Sequence, residues 1–301
     1  MEFYPENVLE KLGFEQVREA TLIATQSDRS AELIEQLKPT NRKDRVLVLL
    51  AQTSEMISIL QDPDIFPISE LPDIRSHMDT ARAYGAIIPL YAFRDILKIC
   101  FTARTTKKFI KGKEERTPTL FNISEQLIPL KELENYIKGK VSDNGELRDD
   151  ASPELKSIRK RLNSKRNELR STINKTMRLA VKDGMASDEG ATIRNGRMVI
   201  PIQAEYKRQI QGFIHDVSST GQTVYLEPVE ALHLNNEIRQ FEAEEQQEIE
   251  RILMELTNHV RESREFILQN IETLAELDVI AAKADRKSTR LNSSHLVISY
   301  A

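Results

Sequence analysis

The sequence predicts a mainly α-helical protein with a small β insertion: a helical core, and a long antiparallel coiled-coil arm with an antiparallel β module at its tip. Two observations predict this class. Gly (10) and Pro (11) are scarce in 301 residues, whereas a sandwich or barrel needs many turn residues. Apolar residues recur at helical intervals along most of the chain, and only the stretch from about 188 to 229 is rich in Val, Ile, Thr and Tyr.

The composition excludes several classes of protein. A net charge of −4 excludes a molecule that is basic overall, so any binding of nucleic acid requires a local patch. The single cysteine, Cys100, lies among apolar residues and is expected to be buried and structural. No window approaches the roughly 20 apolar residues of a membrane span, and the N-terminus lacks a signal pattern. These features predict a cytoplasmic protein without membrane contact.

The first part of the chain, residues 1–150, is predicted to form the helical core. Its helical patterns are interrupted at 62–72, where three prolines indicate a loop. The clearest boundary follows at "SDNGELRDDASPELK", where Ser152 is a predicted helix N-cap and Pro153 takes the first helical position.

The arm is predicted in three segments. An outgoing helix occupies 151–187, with helical residues from about 154 to 182 on a narrow apolar stripe. The β module occupies 188–229, with strands at about 191–194, 197–202, 210–217 and 222–226. A returning long lever helix occupies 230–285, which contains neither Gly nor Pro.

Opposite charges on the two arm helices favour their antiparallel pairing, because charges beside an apolar seam select partner and orientation. The basic outgoing helix is also a possible nucleic-acid surface, but pairing or a solvated face is the favoured interpretation. Its cations are Lys156, Arg159, Lys160, Arg161, Lys165, Arg166, Arg170, Lys175, Arg178 and Lys182; the acids of the returning helix include Glu237, Glu242, Glu244, Glu245 and Glu248. The candidate nucleic-acid contacts are instead four cations near turns of the β module: Arg194, Arg197, Lys207 and Arg208.

The motif "GFIHDVSSTGQTVYLEP" brings His215, Asp216 and Ser218 within four residues, the side-chain types of a hydrolase triad. Adjacent residues of a strand point to opposite faces, so His215 and Asp216 cannot form the required chain of hydrogen bonds. The Ser-Ser-Thr-Gly segment is typical of a turn between strands. No phosphate-binding loop, HExxH or Cys/His cluster occurs. We therefore predict no catalytic, cofactor-binding or metal-binding residue; an enzyme acting through His215 is the disfavoured alternative.

Several motifs of the chain resemble those of a known family. The motifs "RNGRMVIPI" and "HDVSSTGQTVYLEP", with "DNGELRDDASPELKSIRKRL" before them and "LAELDVIAAKA" after them, resemble the MutS type-two subfamily over about residues 5–285. These bacterial MutS-related endonucleases lack the mismatch-recognition domain. The family places no catalytic residue that we can carry over to this part. Residues 286–301 depart from the family and are predicted to be a non-native or disordered tail.

The resemblance implies a core, lever and clamp region of an ATP-driven protein. In the family an ATPase domain with ATP and Mg²⁺ follows, usually with a nuclease-like domain, and homodimers close around a substrate. The implied partners are DNA, branched or mismatched, in recombination suppression and repair, or the rRNA of collided ribosomes. The alternative from another class is a coiled-coil scaffold that dimerises without binding nucleic acid.

Overall fold

The computed structural model describes residues 7–187 and 190–298, with side chains described up to residue 285. The chain divides into two compact units. Unit 1 comprises Met1–Glu146 and Leu253–Ala301, and unit 2 comprises Leu147–Ile252. The predicted class, mainly α with a small β part, is confirmed.

Unit 1 is helical in its described residues. Its helices are α1 (Val8–Lys11), α2 (Phe14–Leu22), α3 (Asp28–Glu35), α4 (Lys43–Leu60), α5 (Arg75–Ala81), α6 (Leu90–Ile110), α7 (Pro118–Ser124), α8 (Lys131–Lys140) and α11 (Arg264–Ile298), together with the last part of α10 (Val229–Glu262). Helix α11 packs against α3, α4 and α6. Fully buried side chains such as Phe93, Ile96 and Leu274 form its core, and Cys100 is buried among them as predicted.

Unit 2 begins with the long helix α9 (Pro153–Lys182), close to the predicted span. The Ser152 hydroxyl accepts a hydrogen bond from the Leu155 N–H at 3.0 Å and donates to the Glu248 carboxylate at 2.6 Å. This cap satisfies one of the free N–H groups of the first turn, and Pro153 at the first position lacks an N–H to satisfy.

A four-stranded antiparallel sheet follows α9. Its strands are β1 (Thr192–Arg194), β2 (Arg197–Gln203), β3 (Gly212–Val217) and β4 (Thr223–Pro228), in the spatial order β1-β2-β4-β3. Asn195 and Gly196 join β1 to β2 with φ values of 50° and 71°, the left-handed conformation that Asn-Gly hairpin turns adopt. All four predicted strands are confirmed, with ends shifted by a few residues at most.

The core of unit 2 lies between α9, the sheet and the first turns of α10. Its members are apolar and at most 8% exposed: Leu162, Leu169, Ile173, Met177, Ala180, Ala186, Ile200, Ile202, Val224, Leu226, Ala231, Leu234 and Ile238. The apolar stripe of α9 is therefore covered within the same chain, and its burial is the main source of stability for this unit.

The structure divides the stretch that was predicted as one lever helix over 230–285. Helix α10 ends at Glu262 and α11 begins at Arg264. At the break, the Ser263 N–H is shared between the carbonyl oxygens of His259 (3.3 Å) and Val260 (3.1 Å). The Arg264 Nε next to it donates to the carbonyl oxygen of Met78 in α5, at 3.0 Å. The break therefore coincides with a contact between residues distant in sequence. Neither Gly nor Pro occurs there to indicate a break.

The prediction for the tail stays a prediction. The side chains of residues 286–298 and the whole of residues 299–301 lie outside the described residues, although the backbone of α11 is followed to Ile298.

Candidate nucleic-acid interface

Arg197, one of the four predicted nucleic-acid contacts, is already engaged inside unit 2. Its Nη1 donates to the Glu227 carboxylate on β4 at 2.7 Å, and its Nη2 donates to the Asn236 side chain on α10 at 2.7 Å. The Arg197 side chain is only 15% exposed. This arginine therefore holds β2, β4 and α10 together.

Arg194 on β1 is partly engaged. Its Nε lies 3.3 Å from the Asp216 carboxylate, and its guanidinium lies 4.1 Å from the ring centroid of Tyr225. A nearby carboxylate and a stacked aromatic ring both reduce its availability to an external phosphate.

Lys207 and Arg208 differ from these two arginines. They follow a short 3-10 helix at Ala204–Tyr206, before β3, and both are exposed. Within the described residues neither forms an ion pair. Of the four predicted cations, these two are the ones free to contact another molecule.

Glu227 on β4 is the centre of a buried polar cluster that the sequence analysis missed. Its side chain is 0% exposed, and it is bonded from three directions. In addition to Arg197, the Asn235 amide donates to it at 2.8 Å and the His215 Nε2 lies 2.6 Å from its second oxygen. A fully buried carboxylate requires such partners, so this cluster ties edge strand β3 to β4, β2 and α10.

The three triad side-chain types of the motif "GFIHDVSSTGQTVYLEP" do not assemble. His215 lies at a β-bulge of β3, between Ile214, which pairs with Leu226, and Asp216, which pairs with Tyr225. His215 bonds Glu227, whereas Asp216 faces Arg194. The Ser218 hydroxyl accepts from the Thr223 N–H at 3.0 Å, as expected for a turn residue. In these contacts histidine, acid and serine each serve a different structural bond.

Some of the cations of α9 pair with acids of α10. Arg159 and Arg161, early in α9, pair with acids further along α10 than the partners of Lys165 and Arg166, so the two helices are antiparallel. The pairs are Arg159–Glu245 (2.7 Å), Arg161–Glu244 (3.5 Å), Lys165–Glu237 (3.0 Å) and Arg166–Glu242 (2.7 Å). Most of these side chains are a fifth to a half exposed, so each pair contributes at most about 1 kcal/mol. The apolar seam stabilises the contact between α9 and α10, and the charged pairs select its register.

The remaining cations of α9 form no ion pair with any described residue. They are Lys156, Lys160, Arg170, Lys175, Arg178 and Lys182, and all six are exposed. Lys156 interacts electrostatically with the Asp150 carboxylate, which lies just before the helix. The sequence analysis treated all ten cations of α9 as one group. Their spacing relative to the apolar stripe nevertheless separates the cations that pair with α10 from those that form no ion pair.

No group of three or more His, Cys, Asp or Glu side chains is arranged to hold a metal ion in the described part of the chain. None of the helices in that part has the length and apolar character needed to cross a bilayer.

Together these features define a class: a helical unit, and a second unit in which two antiparallel helices enclose a small antiparallel sheet, as the resemblance to the core and clamp region of MutS-type proteins implies. Sequence similarity to known proteins supports the assignment to that class. The chain is 34% identical over 283 residues to endonuclease MutS2 of Halalkalibacterium halodurans, which covers 93% of this chain and 36% of that relative. It is 35% identical over 280 residues to endonuclease MutS2 of a Geobacillus strain and 34% identical over 282 residues to that of Bacillus velezensis.

The chain is therefore MutS2-like over nearly all of its own length, and it spans about a third of the length of these curated relatives. No family model matches it.

Proposed function

We propose that this chain is the core and clamp part of an ATP-driven MutS-type protein and that unit 2 grips nucleic acid. The observation that carries the proposal is the similarity to proteins named endonuclease MutS2 over 93% of the chain. An endonuclease acts on nucleic acid, and the proposed substrate is DNA that is branched or mismatched, in repair or recombination suppression, or the rRNA of collided ribosomes.

The chemistry of the complete protein is assigned to residues beyond this chain. ATP and Mg²⁺ would bind to an ATPase domain, and a homodimer would close around the substrate, as the resemblance implies. In this proposal the chain itself has no catalytic residue. ATP turnover by the 301-residue chain would contradict the assignment.

One feature of unit 2 supports the grip on nucleic acid. Lys207 and Arg208 are exposed on a turn of the β module and form no ion pair within the described residues. Lysine and arginine side chains contact the phosphate backbone without reading sequence, which suits a clamp that must accept many substrates.

The coiled-coil scaffold remains the alternative, and one observation weighs against it. A dimerising coiled coil needs a free apolar seam. In unit 2 the seam residues of α9, such as Leu162, Leu169 and Ile173, are at most 4% exposed because α10 and the sheet of the same chain cover them.

The test compares binding of this chain, and of the complete protein, to branched DNA and to ribosomes at two salt concentrations. Phosphate contacts predict affinity that falls steeply as salt rises. The double variant Lys207→Glu/Arg208→Glu should weaken binding, whereas Lys131→Glu/Lys138→Glu should not, since it changes charge equally on exposed residues of α8 in unit 1. Failure of both wild-type proteins to bind either substrate favours the scaffold.

A further inference from the structure

The unpaired cations of α9 lie along one side of the helix. A residue turns an α-helix by about 100°, so Lys156, Lys160, Arg178 and Lys182 fall within about 80° of one another. Arg170 and Lys175 lie at the two margins of the same side. This side, which we call the basic ridge, is opposite the buried stripe of Leu162, Leu169 and Ile173 described above and separate from the cations that pair with α10.

Small polar residues occupy the positions between these cations. Asn163, Asn167, Ser171 and Asn174 lie on the ridge and are exposed. Ser171, Asn174, Arg178 and Lys182 also line one open depression of about 420 Å³. Amide and hydroxyl groups of Asn and Ser donate hydrogen bonds to phosphate oxygens, beside the point charges of Lys and Arg.

The ridge lacks the charge balance of an ordinary solvated face. A protein surface without a ligand usually intersperses both signs of charge, and this chain has more acidic than basic residues, 47 against 43. Nevertheless no Asp or Glu of α9 lies between the ridge cations on that side: Glu154 and Glu168 both fall outside it.

The length of the ridge fits a duplex. From Lys156 to Lys182 the helix rises about 39 Å, compared with about 34–36 Å along the axis for one turn of duplex DNA. A straight row of this length, laid along the axis, spans a full turn and therefore crosses both phosphate backbones of the duplex.

From these observations we propose that the basic ridge of α9 is a binding surface for the phosphodiester backbone of a nucleic-acid duplex, independent of base sequence. It is a second contact, in addition to Lys207 and Arg208, and it rests on the proposed grip of unit 2 on nucleic acid. The contact is electrostatic, so it neutralises phosphates and releases their counterions.

The experiment compares two triple variants of the 301-residue chain that remove equal charge from the same helix. The ridge variant is Lys160→Gln/Arg178→Gln/Lys182→Gln, and the matched control is Arg161→Gln/Lys165→Gln/Arg166→Gln on the paired side. Binding to unbranched DNA and RNA duplexes is measured from about 50 to 200 mM salt. Circular dichroism and thermal unfolding establish that each variant is folded.

The ridge variant should lose affinity for the DNA duplex and reduce the slope of log K against log salt by about 2.7, since each neutralised phosphate contributes about 0.9. The control should change the slope by less than about 1. The RNA duplex shows whether the backbone contact depends on duplex shape. If the ridge variant loses similar affinity for both duplexes, the contact tolerates both shapes; if it loses affinity for DNA alone, the contact is adapted to DNA.

Each other outcome counts against the proposal in a different way. If the wild-type chain binds duplexes and Lys207→Glu/Arg208→Glu weakens it while the ridge variant does not, the ridge proposal is wrong and the proposed function stands. In that case the ridge faces an acidic protein or only solvent. If the wild-type chain binds no nucleic acid at the lowest salt, the ridge proposal fails, and the proposed function fails as well when the complete protein also does not bind.

Discussion

The buried carboxylate of Glu227 allows a quantitative test of how unit 2 is held together. In Glu227→Ala, Arg197 loses its 2.7 Å partner, Asn235 loses its 2.8 Å acceptor and His215 loses a contact at 2.6 Å. The variant leaves a guanidinium with no carboxylate to neutralise it, in a place where the Arg197 side chain is 15% exposed.

The expected cost follows from that burial. Removing one partner of a buried ion pair costs about 3–5 kcal/mol. The Arg197 and His215 side chains keep exposures of 15% and 21%, so water partly solvates what remains and the lower value, about 3 kcal/mol, applies. Glu227→Gln keeps the volume and one acceptor but removes the charge, and it should cost less.

The assay is native-state amide hydrogen exchange of β4, because the chain has two compact units and one global transition need not report on unit 2. A loss of about 3 kcal/mol lowers protection by roughly two orders of magnitude. The control is Glu244→Ala, whose partner Arg161 is 3.5 Å away with side-chain exposures of 33% and 48%; it should cost less than about 1 kcal/mol. Equal losses in the two variants would refute the assignment of Glu227 as the anchor of the sheet.

Three further predictions concern other sites. Gly212→Ala should destabilise the β3–β4 pair, because the new Cβ would lie 2.3 Å from a carbonyl oxygen of β4. Gly139→Ala is the matched control: its Cβ would meet nothing within 4 Å, so it should stabilise α8 by about 0.5–1 kcal/mol. Thermal unfolding measures both effects. Burial raises the pKa of the Cys100 thiol to about 12, so a disulfide reagent should react only as unit 1 opens, and rapid labelling of the native chain would contradict this. Hydrogen bonds from Arg75 lower the pKa of Glu32 to about 2 from an ordinary 4.5. The stability from this carboxylate is therefore complete above about pH 4.5 and lost as the pH falls towards 2, and Glu32→Gln should flatten acid unfolding in that window.

Features of this fold that depend on neighbouring residues were predictable from the sequence. Ser152 and Pro153 mark the start of α9, and Asn195-Gly196 marks the hairpin between β1 and β2, because capping and left-handed turns are decided within a few residues. The turn role of Ser218 was also predictable, since the Ser-Ser-Thr-Gly segment is typical of a turn. The separation of His215 from Asp216 by strand alternation was not a valid reason, because the bulge at His215 interrupts that alternation; the two side chains have different partners instead.

Features that depend on distant residues were not predictable. Arg197 and Glu227 are 30 positions apart, and nothing in the motif "RNGRMVIPI" indicates that its second arginine is neutralised inside the sheet. The bulge at His215 and the interruption at Ser263 likewise depend on pairing and packing that involve remote segments. For the same reason, Arg194 and Arg197 were included among the candidate contacts alongside Lys207 and Arg208.

Different sides of helix α9 have different roles: one side stabilises unit 2, and the basic ridge is the side proposed to bind nucleic acid. Burial of its apolar stripe stabilises unit 2, and its paired cations add up to about 1 kcal/mol each while selecting the register with α10. The cations of the basic ridge form no ion pair within the described residues, although Lys156 interacts with Asp150 at longer range. They therefore contribute little to folding, and their mutual repulsion opposes it slightly. Neutralising the ridge should therefore leave the unfolding temperature unchanged or raise it slightly, whereas neutralising the paired side should lower it. A loss of duplex binding that accompanies unchanged or increased stability would then be attributable to the lost phosphate contacts and not to damage to the fold.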